Sequence, residues 1–294
     1  MGLRSTYLTI PLLLSAARVI TATGMAGNDC TVSPEAIPQG EVFRITCEAA
    51  QAAKMNGRTI RLFPQSDGRQ LGLMPVPVLE KAGEYPLEVL NEGGNVLHTV
   101  TVRVLVARYP KQNVILKRST AALKPSPGEQ ETVQAFQKTA SSVRYWVDRI
   151  ELPVPGCLTS EFGVRRFVNG KPTGSFHAGL DQRGETGTPI HAVAGGTVRI
   201  VRDFNLRGGT VAIDHGQGLE SIYMHMSKTA AAEGERVSAG DVIGYIGATG
   251  RANGPHLHWT LYVNGVPVNP AQWVEVPAPC EAAHSGKPGH NPHS

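Results

Sequence analysis

Four side chains stand at spacings that could do metal chemistry. His177 and Asp181 lie four residues apart in His177-Ala178-Gly179-Leu180-Asp181, and His256 and His258 lie two apart in His256-Leu257-His258. A strand returns to the same face at every second residue. If both segments are extended, His177 and Asp181 point one way together, and so do His256 and His258. Leu257, Trp259 and Leu261 then face the other way, toward a core. A helix would also bring His177 and Asp181 together. Gly179, with Gly184 and Gly187 downstream, weighs against a helix.

Imidazole nitrogens and a carboxylate oxygen are donor types that suit Zn²⁺. A catalytic zinc takes three protein ligands and keeps one position open for water. A His/Asp/His set meets that count and leaves one histidine of the His-Leu-His pair to act on the water. The metal lowers the pKa of that water from about 15.7 toward about 7. A neighbouring imidazole can then move protons or stabilise an oxyanion. Spacing alone does not decide the matter: His-x-His and His-x-x-x-Asp each occur by chance, and ordinary core or surface histidines are the rival reading. Other chemistries lack their residues. There is no His-Glu-x-x-His, no Gly-x-Ser-x-Gly, and no Lys-Ser/Thr ending to the Gly-rich stretch from Gly244 to Gly254.

Such residues need a rigid scaffold, and the composition supplies one. The chain has 294 residues, 41% apolar and 18% charged, which is globular and long enough for two cores. Its 33 Gly and 21 Pro, with few helix-period runs, favour a β-rich protein. Residues 1–24 read as an export signal: Arg4, then the apolar run around Leu12-Leu13-Leu14, then small residues at Ala22-Thr23-Gly24. Pro11 and Arg18 interrupt that run, so no stable membrane span is expected in the mature chain. Removing it takes Arg4 and Arg18 from 28 basic residues, leaving 26 against 24 acids, a net charge of +2. No dense basic patch with aromatics appears, so nucleic acid is not an expected partner. Cys30, Cys47, Cys157 and Cys280 contain no Cys-x-x-Cys pair. In an exported chain they read as disulfides; of three pairings, locality favours Cys30–Cys47 and Cys157–Cys280.

The fold expected is mainly β. Residues 28–107 carry short alternating strands such as Val42–Cys47 and His98–Val106, a β-sandwich of immunoglobulin-like kind. Residues 108–150 read as a connector with one helix. Ser126-Pro127-Gly128-Glu129 has capping-box spacing with Pro at the first helical position, and Val133, Phe136, Ala140 and Val143 form its stripe. Residues 151–280 read as an antiparallel β-domain, with Asn264-Gly265 as a type I′ hairpin turn. Residues 281–294 read as a disordered tail.

The text around the four side chains resembles peptidase family M23, the lysostaphin-like zinc metallopeptidases. Ser160-Glu161-Phe162-Gly163-Val164-Arg165-Arg166 precedes the His177–Asp181 motif. Gly187-Thr188-Pro189-Ile190-His191-Ala192, Ile213-Asp214-His215-Gly216, Tyr223-Met224-His225-Met226 and Gly250-Arg251-Ala252-Asn253-Gly254-Pro255-His256-Leu257-His258 follow in family order. The resemblance implies one Zn²⁺ per chain held by His177, Asp181 and His258, with His225 and His256 as catalytic histidines. It implies an antiparallel sheet with an open groove, and an exported hydrolase of peptide cross-links in bacterial peptidoglycan, acting in the periplasm, the envelope or outside the cell. Its stem peptides would be the partner. The alternative it allows is an inactive M23-like module that activates a cell-wall amidase; such modules have lost zinc ligands, and all five positions are present here. Two departures stand out: Met226 where Leu is usual, and Gly209 where Asn is often seen. His191 and His215 read as structural, His98 as exposed, and His284, His290 and His293 as a solvated tail.

Overall fold

The structure is a computed structural model describing residues 29–280. The export signal expected over 1–24 and the tail over 281–294, with its three histidines, lie outside the described residues. What is described is mainly β.

The first unit is a two-sheet sandwich. One sheet orders Cys30–Ser33, Val42–Cys47, Gln70–Pro75 and Phe63–Pro64; the other orders Ala36–Pro38, Val96–Leu105, Gly83–Leu90, Ala52–Met55 and Arg58–Arg61. Alternation within the strands sends Phe43, Ile45 and Met74 inward from one sheet and Ile37, Met55, Leu87 and Val102 from the other. Cys30 and Cys47 face each other in register and are bonded. His98 is half-buried rather than exposed, because the end of its long strand is partly covered.

The second unit is built on an eight-stranded sheet. Its path runs Leu158–Ser160, Leu180–Arg183, His256–Val263, Leu219–Met226, Gly208–Gly216, Gly196–Phe204 and Arg236–Val237. The added strand Val266–Val268 follows the Asn264-Gly265 turn, where both residues have positive φ (47° and 75°), as a type I′ hairpin requires. Inward-facing Leu180, Val198, Val211, Tyr223, Leu257, Trp259 and Leu261 form one core with Ile190 and Ile243 of a small second sheet. Cys157 and Cys280 are bonded and tie the two ends of this unit together. The sandwich docks on it: Val42, Leu71 and Leu73 join the same core, and Asn264 Nδ2 donates to Leu73 O at 2.7 Å.

The stretch 108–150 carries more than one helix. It holds a strand, Lys111–Val114, a single helical turn, Arg118–Ala121, and the helix Glu129–Phe136. Lys111–Val114 pairs in parallel with Arg165–Val168. The helix lays Val133 and Phe136 over Ile200, Ala212, Ile222 and Tyr262, on the outward face of the large sheet. It ends at Phe136, so the helical stripe expected to run on to Ala140 and Val143 stops short; Val143 is exposed. It also starts late. Gly128 is the N-cap, with φ 76°, and the Ser126/Glu129 pair is put to another use.

Candidate metal centre

One strand organises the site. Along His256–Val263, Leu257, Trp259 and Leu261 are fully buried on the inward face, while His256, His258, Thr260 and Tyr262 alternate on the outward one. The helix covers Tyr262; His256 and His258 lie in an open groove of about 590 Å³. No residue lining that groove precedes Gln112, so the described part of the sandwich does not cover it.

The neighbouring strand Leu180–Arg183 sets Asp181 opposite His258 and Arg183 opposite His256. This close pairing needs Gly179: a Cβ there would stand 2.0 Å from Trp259 O. His177 is not on a strand, contrary to the extended reading of His177–Asp181. It lies in the link between Lys171–Phe176 and Leu180–Arg183, and the turn of that link folds it back over Asp181.

Three donor atoms converge there. His177 Nε2 lies 2.9 Å from Asp181 Oδ1 and 2.9 Å from His258 Nδ1, and His258 Nδ1 lies 2.7 Å from Asp181 Oδ1. Protons are scarce among them. His177 Nδ1 sits 2.7 Å from Glu161 O, and a carbonyl only accepts, so that nitrogen carries the hydrogen and a neutral ring leaves Nε2 bare. Burial works to raise the Asp181 pKa, but His177 and His258 outweigh it and hold the carboxyl well below the usual range. Burial takes His258 down to about 4, against the pull of Asp181. With the carboxylate ionised, burial disfavouring a charged His258 ring, and the His177 Nδ1 hydrogen turned to Glu161 O, protons are too few to bridge all three contacts. A cation at their meeting point satisfies all three, so the set fits a divalent metal.

Partners around the three hold them in place. Arg166 Nη2 donates to Asp181 Oδ2 at 2.7 Å, leaving Oδ1 for the centre. Ser160 Oγ, 3.2 Å from His177 Nδ1, donates to Gln112 Oε1 of the Lys111–Val114 strand. Buried Trp259 Nε1 donates to Gln182 Oε1, and Gln182 Nε2 donates to Val154 O, locking the two strands from beneath.

Two more imidazoles face the centre. His225 and His256 have ring centroids 4.9 Å apart, and His256 Nε2 is 4.0 Å from Asp181 Oδ1. Each donates its Nδ1 hydrogen to a carbonyl, Thr249 O and Gly254 O respectively, both at 2.8 Å, which leaves Nε2 as the free nitrogen. Burial, then His256 and His258, push the His225 pKa down to about 3, so it is a neutral base at neutral pH. Strand alternation alone would turn His225 into the core behind Met224. Its backbone instead takes φ 63°, a left-handed conformation costly for a non-glycine residue, and the ring reaches the groove.

That conformation is held from several sides. His225 N donates to Arg207 O at 2.9 Å. Thr249 accepts from His225 through its carbonyl, while its hydroxyl donates to Met226 O and accepts from Gly209 N. Gly209 and Met226, the two departures from the family pattern, are opposite each other in register, and a Cβ at Gly209 would meet Met226 O at 2.6 Å. The 205–207 turn is gripped by the Ser126/Glu129 pair. Asn205 N donates to Ser126 Oγ, Leu206 N and Arg207 N donate to the Glu129 carboxylate, and Arg207 Nη1 adds a 2.8 Å ion pair. Only Ser126 N to Glu129 Oε2 survives of the capping box. Arg166, Glu129, Thr249 and Gln112 were not singled out from sequence. The Ser-x-x-Glu spacing was visible but pointed to a local cap, and Arg166 stood only as part of a motif. His191 and His215 lie outside the groove; His215 is buried, bonded to Gly195 O and Ser221 Oγ.

Residues 175–270 match the profile of the family described as Peptidase family M23. A Pseudomonas aeruginosa protein assigned to peptidase M23, known from its crystal structure, is 31% identical, with a TM-score of 0.58, over 75% of this chain and 86% of its own. The chain belongs to peptidase family M23. Its M23 domain is also similar to that of the DD-carboxypeptidase/endopeptidase Mpg of Neisseria meningitidis serogroup B, 42% identical over 122 residues, which are 42% of this chain and 28% of Mpg. The peptidoglycan DD-endopeptidase ShyA of Vibrio cholerae is 35% identical over 136 residues, 46% of this chain and 32% of ShyA. The match thus spans less than a third of the length of these two relatives.

Proposed function

We propose that this chain is a zinc-dependent endopeptidase that hydrolyses peptide cross-links of bacterial peptidoglycan outside the cytoplasm. The observation that carries the reading is the convergence of three proton-poor donor atoms beside two imidazoles with free Nε2 atoms, at the floor of an open groove. Membership of the family and the names of its relatives supply the substrate class. Two disulfides favour an exported location. No described helix is long and apolar enough to cross a membrane.

In this reading His177, Asp181 and His258 hold the metal. Zinc in such a set supplies Lewis acidity, polarising a carbonyl and acidifying water toward a pKa of about 7. The chain's own groups do the rest. An extended peptide lies in the groove. Nε2 of His225 or His256 takes a proton from the attacking water, and the ring that now carries it can donate to the developing oxyanion and deliver that proton to the leaving amine. Arg166 keeps Asp181 oriented throughout.

The test is metal analysis of the purified chain together with digestion of isolated peptidoglycan, with a chelator control and mass analysis of the products. One zinc per chain and chelator-sensitive release of uncrosslinked peptides are expected. A metal-free chain that still releases them would overturn the reading.

A further inference from the structure

The groove is more cationic than the metal centre requires. Four guanidinium groups line it, from Arg166, Arg183, Arg207 and Arg251, against the single carboxylate of Asp181. Two are committed: Arg166 to Asp181 at 2.7 Å and Arg207 to Glu129 at 2.8 Å. Arg183 and Arg251 are exposed, and neither has an ion-pair or side-chain hydrogen-bond partner among the described residues.

Their positions flank the two imidazoles. Arg183 is two residues beyond Asp181, so it shares that face of the sheet and stands opposite His256. It lies one pleat, about 7 Å, along the groove from the Asp181/His258 level. Arg251 sits between Thr249, whose carbonyl holds His225, and Gly254, whose carbonyl holds His256; its own N–H donates to Leu206 O at 2.9 Å. That bond fixes the loop from which the guanidinium projects. A guanidinium fork matches a carboxylate in two parallel charge-assisted bonds, and it gains nothing comparable from an uncharged amide chain.

We propose that Arg183 and Arg251 bind free carboxylates on either side of the scissile bond, so that the groove selects acidic cross-linked peptides over uncharged bridges such as oligoglycine. The inference rests on the hydrolase reading and specifies its substrate class.

Three substrates test it with the zinc-loaded full chain: a synthetic cross-linked peptide with free carboxylates beside the scissile bond, the same peptide with those groups carboxamidated, and an oligoglycine-bridged peptide. The acidic peptide should exceed its carboxamide in kcat/KM by about tenfold or more, chiefly through KM, and the advantage should shrink as salt is raised. Arg183→Gln and Arg251→Gln should each narrow that ratio, and the double variant should bring it near one. Arg183→Lys and Arg251→Lys, which keep charge and lose the fork, should fall between. Calorimetric binding of the acidic peptide to the zinc-loaded His256→Ala chain should weaken in parallel when the arginines are replaced. Equal rates on the acidic and carboxamide peptides would overturn this proposal and leave the hydrolase reading standing. No cleavage of any of the three would overturn both.

Discussion

The outward face of the large sheet holds buried ionisable groups at two ends, and the ends treat them in opposite ways. At the covered end, Glu220 lies beneath the stretch that follows the Glu129–Phe136 helix. Thr139 Oγ1 donates to its Oε1, Oε2 has no partner, and Asp214 stands opposite it in register. Burial, opposed by the Thr139 bond and aided by Asp214, pushes its pKa up to about 9. Glu220 therefore stays neutral by keeping its proton. At the open end Asp181 is also buried yet ionised, because His177 and His258 outweigh its burial, and Arg166 pairs with its other oxygen. A carboxyl sealed without a cation takes a proton; one sealed among cationic or metal-seeking groups gives it up. The same two-residue alternation built both ends, and the cover laid over each decided its chemistry.

Removing the carboxylate of the open end should have the largest effect. Asp181→Asn or His258→Ala takes away one of three converging donors, and metal content and hydrolysis should fall by well over the roughly 10–100-fold expected for loss of an outer partner such as Arg166. Elemental analysis beside a peptidoglycan digest reads both; full metal and full rate in either variant would end the comparison. Next is the core the two ends share. Trp259→Ala should cost about 3–5 kcal/mol in chemical denaturation, since Trp259 is fully buried beneath both the groove and the covered strands. A cost below about 1 kcal/mol would mean that the sheet does not couple them.

Glu129 sits where the ends meet. Glu129→Gln weakens the grip on the 205–207 turn and should cost about 1–3 kcal/mol of stability. It should lower kcat more than metal content, because Arg207 O holds His225 rather than a proposed ligand. Unchanged kcat would make the grip purely structural. The last test is a pH dependence, read as a slope. Folded Glu220 keeps its proton to about pH 9, whereas in the unfolded chain the ordinary value is 4.5. Its contribution is thus complete below 4.5 and is lost as pH rises toward 9. His215 runs the other way: burial lowers it from 6.5 to about 4, so its contribution is present above 6.5 and lost as pH falls through 4. Glu220→Gln should flatten the alkaline decline in urea midpoint and leave the acid side as it was. An unchanged alkaline slope would show that Glu220 does not hold its proton.

Whatever depends on period and local chemistry was legible in the residues alone. Alternation in His256–Val263 separates a polar face from an apolar one wherever the strand lies. Asn264-Gly265 makes its hairpin because both residues tolerate positive φ. Cys30 and Cys47, and Cys157 and Cys280, are bonded as locality suggested, since each pair belongs to one unit. The rest came from long-range packing. No periodicity places His177 over Asp181 from a link, or turns His225 outward against its strand; both depend on neighbours 24 to 81 positions away, Thr249 and His258 among them. Ser126 and Glu129 have the spacing of a cap, and a local rule stops there. Only packing the helix on the sheet brings the 205–207 turn within reach, where its unpaired N–H groups and Arg207 offer the carboxylate more bonds than the helix start does.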